Sequence, residues 1–235
     1  MNGKIKIAII VVVLLIVGYG IFYINDYYHA EKSATDCLNG SDDVNVSRIS
    51  SGLFVDGKGN DTALIFYPGG KVEYSAYLPM LCRLAGEGVD CYLVEMPFNI
   101  AFLGANSADD IMANSSYDHY FIAGHSLGGV TASSYVNETN KTDGLILLAA
   151  YPTGEIHKPV LSLYGSNDGV LNKEKYDEAK PLVKGNFTEH VIDGANHAQF
   201  GNYGNQSGDN PANITAENQQ KQSVVEIINF INQYT

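Results

Sequence analysis

Basic residues are scarce in this sequence. Its 235 residues include 14 lysines and arginines against 26 aspartates and glutamates, which gives a formal net charge of −12 at pH 7. Binding to nucleic acid depends on basic side chains that neutralise phosphates, and no basic stretch is present, so the composition argues against a nucleic-acid partner. Only 17% of the residues are charged and 45% are hydrophobic, which favours one compact α/β domain with a well-filled core.

Cysteines are also few. Cys37, Cys82 and Cys91 allow at most one intramolecular disulfide, and the sequence leaves their pairing open. None of them lies in a C-x-x-C pair typical of a metal site. The sequence contains no cluster of metal ligands and no phosphate-binding glycine loop, so it implies no metal and no cofactor.

Charge is absent altogether from Ile7 to Ile24. These 18 residues would form about 27 Å of helix, which is long enough to cross a bilayer. A cleaved signal peptide is the alternative, but the following segment, NDYYHAEKSATDC, offers no good small-x-small cleavage site, which favours an uncleaved anchor. Lys4 and Lys6 precede the apolar run and stay cytoplasmic under the positive-inside rule.

These features divide the chain into three parts. Residues 1–24 are predicted to be a membrane anchor, residues 25–43 a polar stalk that carries tyrosines, and residues 44–235 an α/β domain. The prediction is a single-pass protein of the cell membrane whose domain lies outside the cytoplasm.

Apolar strand patterns alternate with helical patterns along this domain. Strands are predicted at VSRISSGLFV, TALIFY, VDCYLVEM, HYFIAG, GLILLAA, PVLSLYG and FTEHVI. Helices are predicted near residues 73–87, 105–113, 173–183 and 216–231, with a further helix that begins at residue 126. This succession indicates a mostly parallel sheet with helices on both faces, in which chemistry gathers at the carboxyl ends of the strands.

The segment FIAGHSLGGVTASSYV carries a G-x-S-x-G pattern centred on Ser126. The serine stands between an apolar strand and a helix rich in small residues, which is the context of a nucleophile elbow. Gly124 and Gly128 suit such an elbow because the turn brings strand and helix too close for a β-carbon. The alternative is a serine that only caps the helix.

A nucleophilic serine needs a base, and the base needs a carboxylate that orients it. Of the six histidines, His197 follows the last predicted strand, in VIDGANHAQFG, where the base is expected for the chain order Ser, acid, His. Asp168, in LYGSNDGV, follows the preceding strand and is the predicted acid, whereas Asp193 is interpreted as a turn former. His125 is interpreted as polar packing. The predicted catalytic residues are therefore Ser126, Asp168 and His197.

Backbone amides are the expected donors to a developing oxyanion. Leu127, at the start of the helix after the serine, is predicted to supply one of them. The segment IFYPGGK ends a strand and holds two adjacent glycines, so the amide of Gly70 or Lys71 is expected to complement Leu127. The sequence does not decide between these two, and a simple turn is the alternative.

Six segments together resemble the α/β-hydrolase superfamily, in particular small bacterial-type members similar to dienelactone hydrolase. In chain order they are FYPGGKVE, EMPFNIAF, GHSLGG, LLAAYP, LYGSNDGV and GANHAQFGNYGNQSGD. The resemblance implies the α/β-hydrolase fold, and it implies Ser126, Asp168 and His197 as the catalytic triad.

The connections that carry a lid in many hydrolases are short in this sequence. An open, lidless site follows, with Tyr67, Phe98 and Phe102 as aromatic neighbours that suit small or flexible acyl groups. The expected activity is that of a serine carboxylesterase on a small-molecule ester. Two alternatives stay open: an amidase or peptidase with the same triad, and a non-catalytic, membrane-tethered binding module on a hydrolase scaffold.

Overall fold

One sheet of eight strands lies at the centre of the structure, a computed structural model that describes residues 3–41, 43–59 and 61–235. Met1 and Asn2, which the anchor prediction includes, lie outside the described residues. The strands are β1 (Asn45–Ile49), β2 (Gly52–Asp56), β3 (Thr62–Tyr67), β4 (Asp90–Val94), β5 (His119–His125), β6 (Gly144–Leu148), β7 (Val160–Gly165) and β8 (Phe187–Ile192).

The strand order across the sheet is β1-β2-β4-β3-β5-β6-β7-β8. Strand β2 runs antiparallel to both of its neighbours, and all other neighbouring pairs are parallel. The prediction of a mostly parallel sheet is confirmed. The carboxyl ends of β5, β7 and β8 therefore meet at one edge of the sheet.

The helices are α1 (Gly3–Asn25), α2 (Lys32–Thr35), α3 (Leu78–Gly86), α4 (Ser107–Ala113), α5 (Leu127–Glu138), α6 (Lys173–Ala179) and α7 (Ala216–Tyr234). The helix predicted near residues 73–87 divides into a 3₁₀ turn, Tyr74–Tyr77, and α3. Pro79 lies in the first turn of α3. Proline has no amide hydrogen to donate and is tolerated only at the start of an α-helix, which explains where α3 begins.

The segment VSRISSGLFV was predicted as one strand, and that prediction is wrong. It forms a hairpin in which Ile49, at the end of β1, pairs with Gly52, at the start of β2. Gly52 has a φ of 142°, and a β-carbon there would lie 2.1 Å from the carbonyl oxygen of Leu93. Ser50 and Ser51 form the turn, but as polar residues they also suit the solvent face of a strand, so the alternation of residue types concealed the reversal.

Both faces of the sheet are covered, as the central strand β3 demonstrates. Leu64 and Phe66 belong to the layer that includes α3 and α7, whereas Ile65 and Tyr67 belong to the layer that includes α4 and α5. Alternate residues of a strand face opposite sides, so a strand buried on both faces has a continuous apolar sequence. Cys91 in β4 is buried in the first layer, and all three cysteines are free thiols.

Helix α1 is long and apolar enough to cross a membrane, and none of its residues is buried. The segment after it, predicted to be a stalk, lies against the domain. Tyr28 forms a bridge with Val72, and its amide is 2.7 Å from the carbonyl oxygen of Lys71. The Tyr28 ring packs on Tyr203 with centroids 5.7 Å apart, and Ala34 is fully buried. Aromatic and small side chains in this segment explain why it packs instead of extending into solvent.

Candidate active site

Ser126 lies at the turn between β5 and α5. Its backbone has a φ of 52° and a ψ of −122°, a conformation that costs a residue with a β-carbon about 1–3 kcal/mol. The Ser126 amide donates a hydrogen bond of 2.9 Å to the carbonyl oxygen of Leu148, at the end of β6. The turn is therefore strained and fixed to the neighbouring strand, as the nucleophile-elbow interpretation requires.

Two glycines allow β5 and α5 to meet at this turn. A β-carbon at Gly124 would lie 2.5 Å from the carbonyl carbon of Gly128, and a β-carbon at Gly128 would lie 2.2 Å from the carbonyl oxygen of Tyr67. Both distances are far shorter than van der Waals contact, and both involve backbone atoms. The G-x-S-x-G spacing therefore has a steric cause in this fold.

His197 follows β8, and Asp168 follows β7. The Nδ1 atom of His197 is 2.9 Å from Oδ2 of Asp168, and their side chains are 1% and 3% exposed. The other carboxylate oxygen, Oδ1, accepts hydrogen bonds from the amides of Val170 at 2.8 Å and Leu171 at 2.7 Å. These bonds fix the carboxylate, and the carboxylate in turn fixes the orientation of the imidazole.

Ser126 and His197 both line one pocket of about 230 Å³. The Nε2 atom of His197 is buried and has no hydrogen-bond partner among the described residues. The remaining lining is mostly apolar: Leu127, Val130, Ala149, Ala150, Tyr151, Val170, Leu171 and Asn172. The three side chains selected from the sequence thus come together at one edge of the sheet, and their catalytic roles stay a prediction.

The amides expected to bind an oxyanion differ in their availability. Leu127 is the first residue of α5, so its amide has no partner within the helix. The amide of Gly70 makes no hydrogen bond with any described residue, and a β-carbon at Gly70 would lie 2.8 Å from Cδ2 of Leu127. In contrast, the Lys71 amide donates to the carbonyl oxygen of Asn99 at 2.8 Å. Gly70 is therefore the second candidate donor, and Lys71 is not.

His125, immediately before Ser126, belongs to a buried hydrogen-bonded chain. The amide of Gly69 donates to Oη of Tyr77 at 3.0 Å, and Oη lies 2.8 Å from Nδ1 of His125. Burial raises the pKa of Tyr77, so the phenol keeps its proton. Nδ1 of His125 is the only acceptor for the phenol proton among the described residues, so we assign the phenol as the donor and Nδ1 as the acceptor.

The His125 ring also packs against the imidazole of His197, with centroids 4.6 Å apart. The interpretation of His125 as polar packing agrees with these contacts. The sequence does not indicate that His125 packs against His197 and contacts Tyr77, because Tyr77 lies 48 positions earlier in the chain. His125 therefore supports the position of His197.

The buried His125 predicts a pH-dependent stability. Burial, with a smaller contribution from His197, lowers the pKa of His125 well below its ordinary value, so the folded protein keeps this ring neutral. The unfolded chain protonates it around and below about pH 6.5, so this stability is fully present well above that pH and decreases as the pH falls, by about 1.4 kcal/mol in all between pH 7.5 and 5.5. The free energy of unfolding in urea, measured between pH 7.5 and 5.5, reports this decrease.

The variant His125→Asn is expected to lose this part of the pH dependence. Asparagine places an oxygen near the position of Nδ1, so it can still accept from Tyr77, but it does not titrate. The matched control is His157→Asn, since His157 is exposed. Equal slopes for wild type and His125→Asn would contradict the assignment of a neutral His125.

The three aromatic residues expected near the site do not line the pocket. Tyr67 is buried in β3, and its hydroxyl donates to the carbonyl oxygen of Ala105. Phe98 and Phe102 lie in the 3₁₀ turns Pro97–Asn99 and Ala101–Gly104, and their exposed fractions are 59% and 62%. The connection between β4 and α4 thus directs its aromatic rings into solvent, and the segments after β6 and β7 form the pocket instead.

Solved structures share this fold at low sequence identity. Dienelactone hydrolase from Anabaena variabilis is 13% identical, with a TM-score of 0.61 over 80% of this chain and 98% of that chain. A predicted CIB-like hydrolase from Thermoplasma acidophilum is 15% identical, with a TM-score of 0.57 over 79% and 98%. The protein DcsB, solved with its substrate analogue, is 12% identical, with a TM-score of 0.59 over 82% and 99%. At these identities the likeness concerns the fold alone.

No curated protein matches the chain. A sequence profile, in contrast, covers more than half of it: residues 63–221 match the profile described as Alpha/beta hydrolase family. The matched segment extends from β3 into α7 and includes the strained serine and the buried histidine and aspartate. The resemblance inferred from the sequence is confirmed, and the chain belongs to the alpha/beta hydrolase family.

Proposed function

We propose that this protein is a serine hydrolase that cleaves carboxylic esters through an acyl-enzyme on Ser126. The observation that carries the proposal is that Ser126, on its strained turn, shares a pocket with a buried His197 whose Nδ1 is 2.9 Å from Asp168. A serine that only caps a helix needs neither the backbone strain nor the imidazole and carboxylate pair. A non-catalytic module would leave both features unexplained.

In the proposed acylation, Oγ of Ser126 attacks the carbonyl carbon of the ester while Nε2 of His197 takes the hydroxyl proton. Asp168 stabilises the imidazolium that forms, and the amides of Leu127 and Gly70 donate to the oxyanion. When the tetrahedral intermediate collapses, the bond to the alcohol oxygen breaks. The imidazolium gives its proton to that oxygen, the alcohol leaves, and the acyl group stays on Oγ.

Deacylation repeats these steps with water. His197 takes a proton from the attacking water, and the second tetrahedral intermediate uses the same oxyanion donors. Collapse of this intermediate breaks the bond to Oγ, and the imidazolium returns a proton to Ser126. One ester and one water thereby become one carboxylic acid and one alcohol.

The pocket volume favours short acyl groups. About 230 Å³ is less than the roughly 300–1,000 Å³ typical of sites that hold drug-sized ligands. Its wall includes Val130, Ala149 and Leu171, which suit an uncharged aliphatic acyl chain. We therefore expect acetyl and butyryl esters to react faster than long-chain esters.

An amide of the same acyl group tests the amidase alternative, and an amide that reacts as fast as the ester would favour an amidase.

A fluorophosphonate probe tests the proposed function, because it labels only activated serines. The full chain is expected to gain one phosphonyl group, which peptide mass spectrometry should locate on Ser126. The variant His197→Ala is expected to label at least about 10²-fold more slowly, because the base is missing. An unlabelled wild-type protein would contradict the hydrolase function and favour the binding module.

We further propose that α1 anchors the enzyme in the cell membrane, with the domain on the extracytoplasmic side. The length and apolar composition of α1, its exposed surface and the position of Lys4 and Lys6 before its apolar run support this topology. Alkaline phosphatase fused to the C-terminus is expected to be active, because it folds only outside the cytoplasm. Activity of a cytoplasmic reporter at the same position, together with an inactive phosphatase, would contradict the topology.

A further inference from the structure

An exposed apolar patch lies on the connection between β4 and α4. Phe98, Phe102 and Leu103, here called the rim patch, have exposed fractions of 59%, 62% and 49%. Phe98 and Asn99 have φ values of 55° and 56°, a left-handed conformation that is costly for residues other than glycine. A single exposed apolar side chain needs no explanation, but three of them within six residues on a strained loop indicate a surface with a partner.

Lys71 contacts both the loop of the rim patch and the end of α1. Its amide donates to the carbonyl oxygen of Asn99 at 2.8 Å, and its own carbonyl oxygen accepts from the amide of Tyr28 at 2.7 Å. Its ammonium group lies 2.7 Å from the carboxylate of Asp26 and 4.5 Å from the ring centre of Tyr23, in the last turn of α1. One residue therefore contacts the membrane helix, the segment that follows it and the loop of the rim patch.

The link between α1 and the domain is short. Helix α1 ends at Asn25, and Tyr28 is already paired with the domain through Val72. Three residue steps span at most about 10 Å when fully extended. The headgroup region on each side of a bilayer is about 5–8 Å thick. If α1 crosses a membrane, the domain must therefore lie against the bilayer surface, with the loop next to Lys71 on the membrane side.

The lining of the pocket lies close to the same loop. Leu127 lines the pocket next to Ser126, is partly exposed, and lies against Gly70, the residue before Lys71. Helix α5 contacts the turn Ala101–Gly104, which carries two members of the rim patch. The pocket lining is thus linked to the rim patch through α5, and to the end of α1 through Gly70 and Lys71.

We propose that the rim patch rests in the interfacial layer of the bilayer crossed by α1, and that the pocket takes its ester from that layer. The substrate class is an amphiphilic ester whose short acyl group enters the pocket while its apolar alcohol part stays in the bilayer. Transfer of phenylalanine and leucine side chains from water to this layer is favourable, and aromatic rings are enriched there. This assignment rests on the proposed hydrolase function and on the proposed anchor.

Tryptophan fluorescence tests the docking directly, because the chain contains no tryptophan and a single introduced one gives all of the signal. The full chain is placed in phosphatidylcholine vesicles with or without lipids brominated near the headgroup end of the acyl chains. The emission of Phe102→Trp is expected to fall about twofold with the brominated lipid. The control Val225→Trp, at a residue of α7 with 56% exposure, is expected to keep its emission.

Equal quenching of the two variants overturns the docking. Phe98→Trp provides a second reporter on the same loop, so that a folding defect of one variant leaves the test intact. Quenching needs no catalysis, and it can be repeated in the background of Ser126→Ala. The docking is thus tested separately from the hydrolase function.

Two esters with the same acyl group test the substrate class. Hexadecyl butyrate is dissolved in the vesicles, and p-nitrophenyl butyrate is supplied in water. For the double variant Phe98→Ser and Phe102→Ser, the ratio of the hexadecyl to the p-nitrophenyl rate is expected to fall about tenfold relative to wild type. An unchanged ratio overturns the assignment of the substrate to the bilayer. Failure of the wild type to hydrolyse either ester, with quenching intact, overturns the hydrolase function instead.

Discussion

The variant Ser126→Ala is expected to lose at least about 10⁴-fold in kcat/KM for p-nitrophenyl butyrate. Alanine keeps the β-carbon and removes only the hydroxyl, so the pocket, the His197 imidazole and the candidate amides of Gly70 and Leu127 stay in place. The residual rate reports what these groups do for direct attack by water. Steady-state hydrolysis by purified full-length protein in detergent measures the effect, and the fluorophosphonate probe should leave this variant unlabelled.

The variant Ser126→Gly is the matched control for folding. It also lacks the hydroxyl and should be equally inactive, but glycine accepts a φ of 52° and a ψ of −122° without steric cost. Relief of strain, offset by the greater freedom of an unfolded glycine, is expected to make it about 1 kcal/mol more stable than Ser126→Ala. Turnover above about a tenth of the wild-type rate in either variant would contradict the role of Ser126.

The serine, the histidine and the aspartate could be located from the sequence because each is marked by local signals. Ser126 lies between two glycines after an apolar run, and Asp168 and His197 each follow a strand of the same parallel sheet. The carboxyl ends of parallel strands lie at one edge, so three separate segments converge without any knowledge of loop structure. The fold class follows from the same alternation of strands and helices.

Features that depend on contacts between distant segments could not be predicted in this way. The sequence leaves Gly70 and Lys71 equivalent, and only the hydrogen bond from the Lys71 amide to Asn99 distinguishes them. The support of His197 by His125 requires Tyr77, on the 3₁₀ turn before α3. Composition predicts a polar stalk after α1, and it gives no sign of the contacts that Tyr28 and Ala34 make with the domain.

Helix α1 and the candidate site are connected through Lys71, one of the two residues between which the sequence leaves the second oxyanion donor open. Lys71 is bonded to the loop of Asn99 through its amide and to Asp26 through its ammonium group. Its amide is therefore already paired, and in the proposed membrane-bound enzyme Lys71 holds the domain and α1 in a fixed relation. Gly70 precedes it and lies against Leu127 of the pocket lining, so the pocket lining and the end of α1 are linked through one small region.

The carboxylate of Asp168 provides the second large effect. The variant Asp168→Asn is expected to lower kcat for p-nitrophenyl butyrate by about 10³- to 10⁴-fold. Oδ1 of Asp168 accepts from the amides of Val170 and Leu171, so an asparagine at this position must turn its oxygen toward these two donors. Its NH₂ group then faces Nδ1 of His197, where the carboxylate oxygen lies at 2.9 Å in the wild type.

An NH₂ group that donates to Nδ1 forces the imidazole proton onto Nε2, the nitrogen that must accept the proton of Ser126. The hydrogen bonds to Val170 and Leu171 survive in this variant, so its melting temperature should stay close to that of the wild type while its turnover is lost. Asp193→Asn is the control, since Asp193 is exposed and bonds only to Ser166 among the described residues; its kcat should stay within about twofold of wild type. If Asp168→Asn retained more than about a tenth of the wild-type kcat, the carboxylate would have no part in orienting the base.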